Sequence, residues 1–423
     1  MTEKKKTAVP RLRFPEFRNA GPWEVKRLEE VADVVRGGSP RPIDKYLTKN
    51  DQGLSWLKIG DLREDSKYVF STEEKIKPSG LSKTREVYPG NLIMSNSMSF
   101  GRPYILKINA CIHDGWLAIK DISHDIENEF LYYEILSPTC QKYFQDAAAG
   151  GGVRNLNADT VKLLQVRIPS VPEQQKIADC LSSLDEVIGL EAKRLDALKA
   201  HKKGLMQQLF PREGETTPRL RFPEFRNAGP WEVKRLGDVA DRITERVGDR
   251  RLVAVSISAG IGFVSQKEKF GREIAGHQYH NYIRLKNGQF AYNKGNSKTF
   301  PQGAIYQLRE FDEVAVPNAF YCFEFKPEYV SEFFIGYFAN NFHGIQLAKF
   351  ITSSARSDGL LNISADDFFS IILPIPRDRM EQQKIADCLS SLDELIELQA
   401  KRLDALKAHK KGLLQQLFPQ EVE

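Results

Sequence analysis

Residues 173–211, EQQKIADCLSSLDEVIGLEAKRLDALKAHKKGLMQQLFP, return as residues 381–419 with four changes in 39 positions: Val187/Leu395, Gly189/Glu397, Glu191/Gln399 and Met206/Leu414. In both copies apolar residues recur at spacings alternating between about four and three, the mark of a helix with one narrow seam. The first seam is Ile177, Leu181, Leu184, Ile188, Glu191, Leu195, Leu198, Lys202, Leu205 and Leu209. The second is Ile385, Leu389, Leu392, Ile396, Gln399, Leu403, Leu406, Lys410, Leu413 and Leu417. Each helix is expected to open on a capping box, Ser170 with Glu173 and Asp378 with Glu381, and to stop at Phe-Pro. A stripe this narrow cannot be buried on a lone helix. The other copy is the natural partner, and two separate surface helices on separate cores are the alternative.

The polar breaks in the seam predict an orientation. An antiparallel register sets Glu191 opposite Lys410 and Lys202 opposite Gln399, with Leu195 on Leu406, Leu198 on Leu403 and Ile188 on Leu413. A parallel pairing would stack Lys202 on Lys410. Polar seam residues fix register at a cost in stability, so antiparallel is predicted.

Moving outward, residues 11–28, RLRFPEFRNAGPWEVKRL, recur unchanged at 219–236, at the same offset of 208 as the helices. The chain is therefore two tandem halves. A period this long is a domain duplication and not a solenoid. The predicted division is a variable domain over 1–170, a helix over 171–211, a linker over 212–218, a second variable domain over 219–378, and a second helix with its tail over 379–423. Between the matching arms and helices lie two segments that match poorly. Near-identical ends with divergent middles imply one shared job for the ends and two different jobs for the middles.

Each middle reads as a mixed α+β domain. In the first, strands are expected at 54–59, 91–94, 104–108, 116–119 and 163–168, with a helix over 127–149. In the second, they are expected at 252–257, 289–292, 304–308, 314–316, 321–325 and 369–373, with a helix over 328–350. The fold class is thus α+β, two mixed domains joined by an antiparallel coiled coil with pseudo-two-fold symmetry.

At 423 residues the chain has room for two or three domains. It is 41% hydrophobic and 28% charged, the balance of an ordinary soluble protein. No apolar run approaches the ~20 residues of a membrane span, and the basic start MTEKKKTAVPRLRF lacks a signal-peptide core. The five cysteines Cys111, Cys140, Cys180, Cys322 and Cys388 show no paired spacing and read as reduced thiols of a cytoplasmic protein. A net charge of +5 permits nucleic-acid binding without arguing for it.

Several motifs together resemble the specificity subunit of type I restriction-modification systems. They are RLRFPEF with its tryptophan, GGSP at 37–40, WLKIGDL at 56–62, PGNLIMS at 89–95 followed by Gly101-Arg102, and GGGVRNLN at 150–157. The run IPSVPEQQKIADCLSSLD at 168–185 is the most specific; FAYNK at 290–294, PQG at 301–303 and LPIP from 373 supply the second half. The resemblance implies two target-recognition domains, each reading one half of a split double-stranded DNA site. It also implies helices that space the readers and dock two methyltransferase subunits, with motor-nuclease subunits joining that core. A helix of about 38 residues spans about 57 Å, comparable with ~17 base pairs.

Catalytic signatures are lacking: no [DN]-P-P-[YF] run for a flipped base, since Val316-Pro-Asn-Ala-Phe320 does not fit, and no phosphate loop for ATP. His277 and His280 lack a third ligand, so ordinary histidines are the plainer reading and no metal is expected. S-adenosylmethionine, ATP and Mg are expected on partner subunits and none on this chain. Base reading needs Arg, Lys, Asn or Gln on exposed loops, and phosphate contacts need positive charge. The candidates are Arg36, Ser39, Arg41, Lys58, Asn96, Arg102 and Arg154 in the first domain, and Arg246, Lys294, Asn296, Lys298 and Arg356 in the second. The exposed helix faces, such as Lys193, Arg194, Asp196 and Lys199, are solvated faces or docking surfaces, and docking is expected near the helices and the repeated Trp23 and Trp231 arms. A protein–protein scaffold without DNA reading, and a self-sufficient enzyme, are the competing functions.

Overall fold

A computed structural model describes residues 7–63, 66–96, 101–149, 156–258, 260–295, 300–351 and 361–420. It divides into two compact units, one made of residues 1–192 with 401–423 and the other of residues 193–400. Each unit therefore contains one variable domain, the first half of one long helix and the last half of the other.

In the first unit two five-stranded sheets lie against each other. One has the order Asp33–Arg36, Trp116–Lys120, Leu92–Ser95, Pro103–Leu106, Tyr68–Val69; the other runs Leu47–Thr48, Glu74–Ile76, Leu54–Leu57, Ala110–Ile112, Arg85–Val87. Leu92, Met94, Ile105, Leu117 and Ile119 face the helices, while Ile93, Tyr104, Leu106, Trp116 and Ala118 face the second sheet with Leu57, Val87 and Ile112. Successive side chains of a strand point to opposite faces. A strand covered on both faces accordingly reads as a continuous apolar run, which is why LIM and WLAI stand out in the sequence. The second unit repeats the layers with two four-stranded sheets. Phe290, Tyr292, Phe323 and Phe325 face the helices, and Ala291 and Cys322 face the second sheet.

The expected strands are present within a residue or three of their predicted bounds, but the sheets also contain short strands such as Asp33–Arg36 and Ala110–Ile112 that carry little pattern of their own. Both domain helices are split. The first becomes Asn128–Ile135 and Pro138–Ala149, with proline starting the second piece. The other becomes Ser331–Ala339 and Phe342–Leu347, separated at Asn341, whose φ of 57° lies in the left-handed region. All five cysteines are free thiols.

The long helices run Val171–Leu209 and Arg379–Leu417, and they pack antiparallel in each unit. In the first, Asp185 pairs with Lys410 and Glu191 with Arg402 at 2.9 Å; in the second, Lys202 pairs with Asp393. The orientation is as predicted, but the register differs. Lys410 meets Asp185 and not Glu191, and Lys202 meets Asp393 and not Gln399, a slip of about one heptad. The slip has two causes. A lysine in the seam reaches sideways to a flanking aspartate, so the seam polar residues need not face one another. The helix ends, moreover, are anchored. Leu417 and Phe418 are buried in the first domain's core beside Trp23 and Phe130, and Leu209 and Phe210 occupy the same place in the second beside Trp231 and Phe333.

The repeated arms have a structural purpose. Arg13 grips both carboxylate oxygens of Glu173, at 2.6 and 2.7 Å, and Trp23 donates to the same carboxylate at 3.4 Å. Arg221 and Trp231 treat Glu381 alike, at 2.7, 2.7 and 3.3 Å. The glutamates expected to complete capping boxes thus serve the arm instead, although Asp378 does cap, accepting from the Met380 N–H at 2.8 Å. Gln174 accepts from the Glu127 N–H and donates to Asp125 and Pro169 carbonyls, and Gln382 accepts from the Val330 N–H and donates to Pro376. The E-Q-Q motif is a clasp between arm, domain and helix, which explains why it is duplicated with so little change. Trp23 and Trp231 are buried in that clasp and offer no docking face.

Candidate nucleic-acid interface

Four of the seven first-domain candidates converge on one residue that sequence reasoning missed. Asp114 sits in the His113-Asp114-Gly115 turn between strands Ala110–Ile112 and Trp116–Lys120. Its carboxylate accepts from Ser39 Oγ at 2.8 Å and from Arg41 at 3.2 Å, with His113 Nε2 at 3.0 Å. Its main-chain carbonyl accepts from Arg36 Nε at 3.0 Å and Asn96 Nδ2 at 2.9 Å. Burial pushes the Asp114 carboxyl up, but the Ser39 hydroxyl, His113 and the Arg41 guanidinium outweigh it and hold the group below the usual aspartate range.

Local sequence builds this turn into the motifs around it. Gly37 and Gly38 donate to the carbonyls of Trp116 and Ile112, and a β-carbon on Gly37 would stand 2.2 Å from the His113 carbonyl oxygen. Only glycine lets the two loops lie this close. The Asn96 N–H donates to Gly115 at 3.0 Å and the His113 N–H to Leu57 at 3.1 Å. GGSP, WLKIG and PGNLIMSN are therefore three walls around one turn. The His-Asp-Gly triplet between two apolar runs was the available signal, a turn composition with a charged centre.

The remaining candidates are placed less centrally. Lys58 is half-buried and tied to Glu74 at 2.9 Å, and its pKa is raised chiefly by that bond. Arg102 is half-buried over the Tyr104 ring at 5.9 Å, and its Nε is buried without a hydrogen-bond partner among the described residues. Arg154, Asn296, Lys298 and Arg356 lie outside the described residues.

In the second domain Arg246 is exposed and donates to Asn281 at 3.0 Å. Lys294 lies 4.6 Å from the Tyr321 ring centroid, and exposed Arg242, which the sequence did not single out, lies 5.7 Å from the same ring. Two cations on one aromatic suit a phosphate or a base face. Both domains also fasten the chain in the same way after the Gly-rich and Ser-rich loops: Leu156 N–H donates to the Asn96 carbonyl, and Leu361 N–H to Lys294. The histidines His277 and His280 are exposed, and no group of three metal-ligating side chains occurs among the described residues. No helix of the described residues is long and apolar enough to cross a membrane.

A sequence profile of the type I restriction modification DNA specificity domain matches residues 21–200 and again residues 229–408. The chain belongs to that family. It is 24% identical over 427 residues to the putative type I restriction enzyme MjaX specificity subunit of Methanocaldococcus jannaschii, covering 94% of this chain and 92% of that one. It is 26% identical over 240 residues to the MjaIX specificity subunit of the same organism, about half of each chain at 51% and 51%. The fold is shared with the S subunit of the type I restriction-modification system from M. genitalium, at a TM-score of 0.56 and 14% identity over 98% of this chain and 100% of the other. This specificity subunit thus contains two target-recognition domains, and the seam helices belong to the family repeat on each side.

Proposed function

We propose that each variable domain reads one half of an asymmetric, split double-stranded DNA target, and that the paired helices set the spacing between the halves. The observation that carries this is the contrast between the clasps and the loops. Arg13–Glu173 and Arg221–Glu381 repeat residue for residue, while the domains they support present Arg36 and Arg41 around Asp114, braced by the buried Asn96, in one case and Arg242, Arg246 and Lys294 in the other. Arginine is the common bidentate reader of guanine. Two unlike sets on like supports give two unlike half-sites.

The subunit works in the cytoplasm as a non-catalytic part of a larger assembly. Two methyltransferase subunits dock on it, with motor-nuclease subunits joining them, and S-adenosylmethionine, ATP and Mg are held by those partners. Support for docking comes from the middle of the helices. Val187 and Leu190 in the first unit, and their repeats Leu395 and Leu398 in the second, are 39%, 65%, 51% and 63% exposed. Paired large apolar side chains on a helix face favour a protein partner over solvent. In the second unit Lys193, Arg194, Asp196 and Lys199 are exposed on the same length of helix pair as Leu395 and Leu398.

Methylation mapping in a host carrying the chain with its methyltransferase tests the reading. A split motif with two different halves is expected, and exchange of residues 29–169 with those of a relative should replace one half alone. Methylation without sequence preference, or an exchange that leaves the motif unchanged, would sink it.

A further inference from the structure

We infer that Asp114 is a positioning residue for target recognition: braced by Ser39 and the buried Asn96, it holds Arg36 and Arg41 as one reading head, so that the first half-site is read by the pair and not by separate side chains. The inference rests on the DNA-reading role proposed above. Asp114 uses two different groups for two different pairs. Its carboxylate takes Ser39 and Arg41, and its carbonyl takes Arg36 and Asn96. The Asp114 N–H returns a bond to Ser39 Oγ at 3.3 Å, so the turn and the Gly-Ser-Pro loop hold each other from both sides.

The geometry leaves the two arginines usable, while Asn96 is buried and serves only as a brace. Arg36 spends Nε on the carbonyl and keeps its terminal amino groups for a ligand. Arg41, whose side chain is 80% exposed, spends one terminal nitrogen on a carboxylate that is itself 26% exposed. A long arginine free in solution loses rotamer entropy on binding, and one already held loses less. Asp114 also places a negative charge beside the approaching phosphates. It therefore opposes nonspecific binding while sharpening specific binding, the combination that raises a specificity ratio.

Asp114→Asn keeps the backbone carbonyl and an oxygen for Ser39, and removes the charge that holds Arg41. The assay uses the complex with its methyltransferase subunits. It compares methylation and binding of the mapped target with duplexes changed by one base pair in the first or the second half. The expected result is a roughly ten-fold loss of discrimination at the first half, unchanged discrimination at the second, and nonspecific affinity that is equal or tighter. A general folding defect would instead weaken every duplex alike, and that pattern overturns the inference. So does a switch of the preferred base, which would make Asp114 itself a base contact. Ser39→Ala gives an independent arm, with a loss in the same direction of roughly three-fold. Arg41→Ala separates the layers: if it abolishes first-half discrimination while Asp114→Asn and Ser39→Ala change nothing, the positioning role fails alone. If none of the three changes it, the reading of DNA by this surface fails with it.

Discussion

Phe418 lies five residues from the chain's end, yet it completes the core of the first domain. It is fully buried, with ring centroids 5.7 Å from Phe130 and 6.1 Å from Trp23. The helix end is also joined to the arm by a Leu12 N–H bond to the Gln416 carbonyl at 2.9 Å, and to the domain helix by a Thr139 hydroxyl bond to the Pro419 carbonyl at 3.2 Å. Truncating a buried phenylalanine to alanine costs about 3–5 kcal/mol. With two tight aromatic neighbours and little freedom for the site to collapse, Phe418→Ala should cost about 4 kcal/mol in the first unit. For a cooperative unit of this size, that is a fall of roughly 12 °C in its midpoint. Hydrogen exchange resolved by segment is the suitable assay, because it separates the two units in one sample. Amides of 116–120 and 130–135 should lose protection, while those of 290–293 and 321–325 should not. Phe210→Ala should do the reverse, since Phe210 is packed at 5.2 Å on Phe333. Equal loss in both domains from Phe418→Ala, or none in either, would refute the assignment of this helix end to the first core.

The remaining predictions concern the clasp, pH and the second reading surface. Arg13→Ala leaves the Glu173 carboxylate, 1% exposed, without its ion partner and should cost about 3–5 kcal/mol by urea unfolding; a loss under 1 kcal/mol would show the clasp to be incidental. The two domains should respond oppositely to acid. Burial lowers His343 from 6.5 to about 4, so the folded second domain binds fewer protons than the unfolded chain and should lose about 3 kcal/mol as pH falls from 6.5 to 4. Burial raises Glu134 from 4.5 to about 7 against the pull of Arg167, so this group makes the first domain more stable as pH falls from 7 toward 4.5, and Glu134→Gln should flatten that dependence. Denaturation midpoints of the two units at pH 5 and 7 check both signs. Lys294→Ala should weaken binding of all duplexes and reduce the salt slope by about one; a change confined to one base pair would make it a base reader.

What could be read locally in the sequence was the duplication, the seam and the antiparallel sense of the helices, because periodicity and the Lys202 and Lys410 breaks are properties of neighbouring residues on one helix face. The apolar strands 92–95 and 116–120 were legible for the same reason, being buried on both faces. Tertiary structure alone decided the register, since Phe210 and Phe418 are anchored in cores whose other members, such as Trp231 and Trp23, are remote from them in the chain or set by the arm. It also decided the meaning of the repeated arms, whose Arg13 and Trp23 face a glutamate that the local pattern assigned to a helix cap. The same holds for Asp114: apart from the adjacent His113, its partners lie 18 to 78 residues away, and nothing in a one-dimensional pattern links an aspartate in a short turn to a glycine loop on another strand. Local spacing reports which residues share a face, and only the folded chain reports which faces meet.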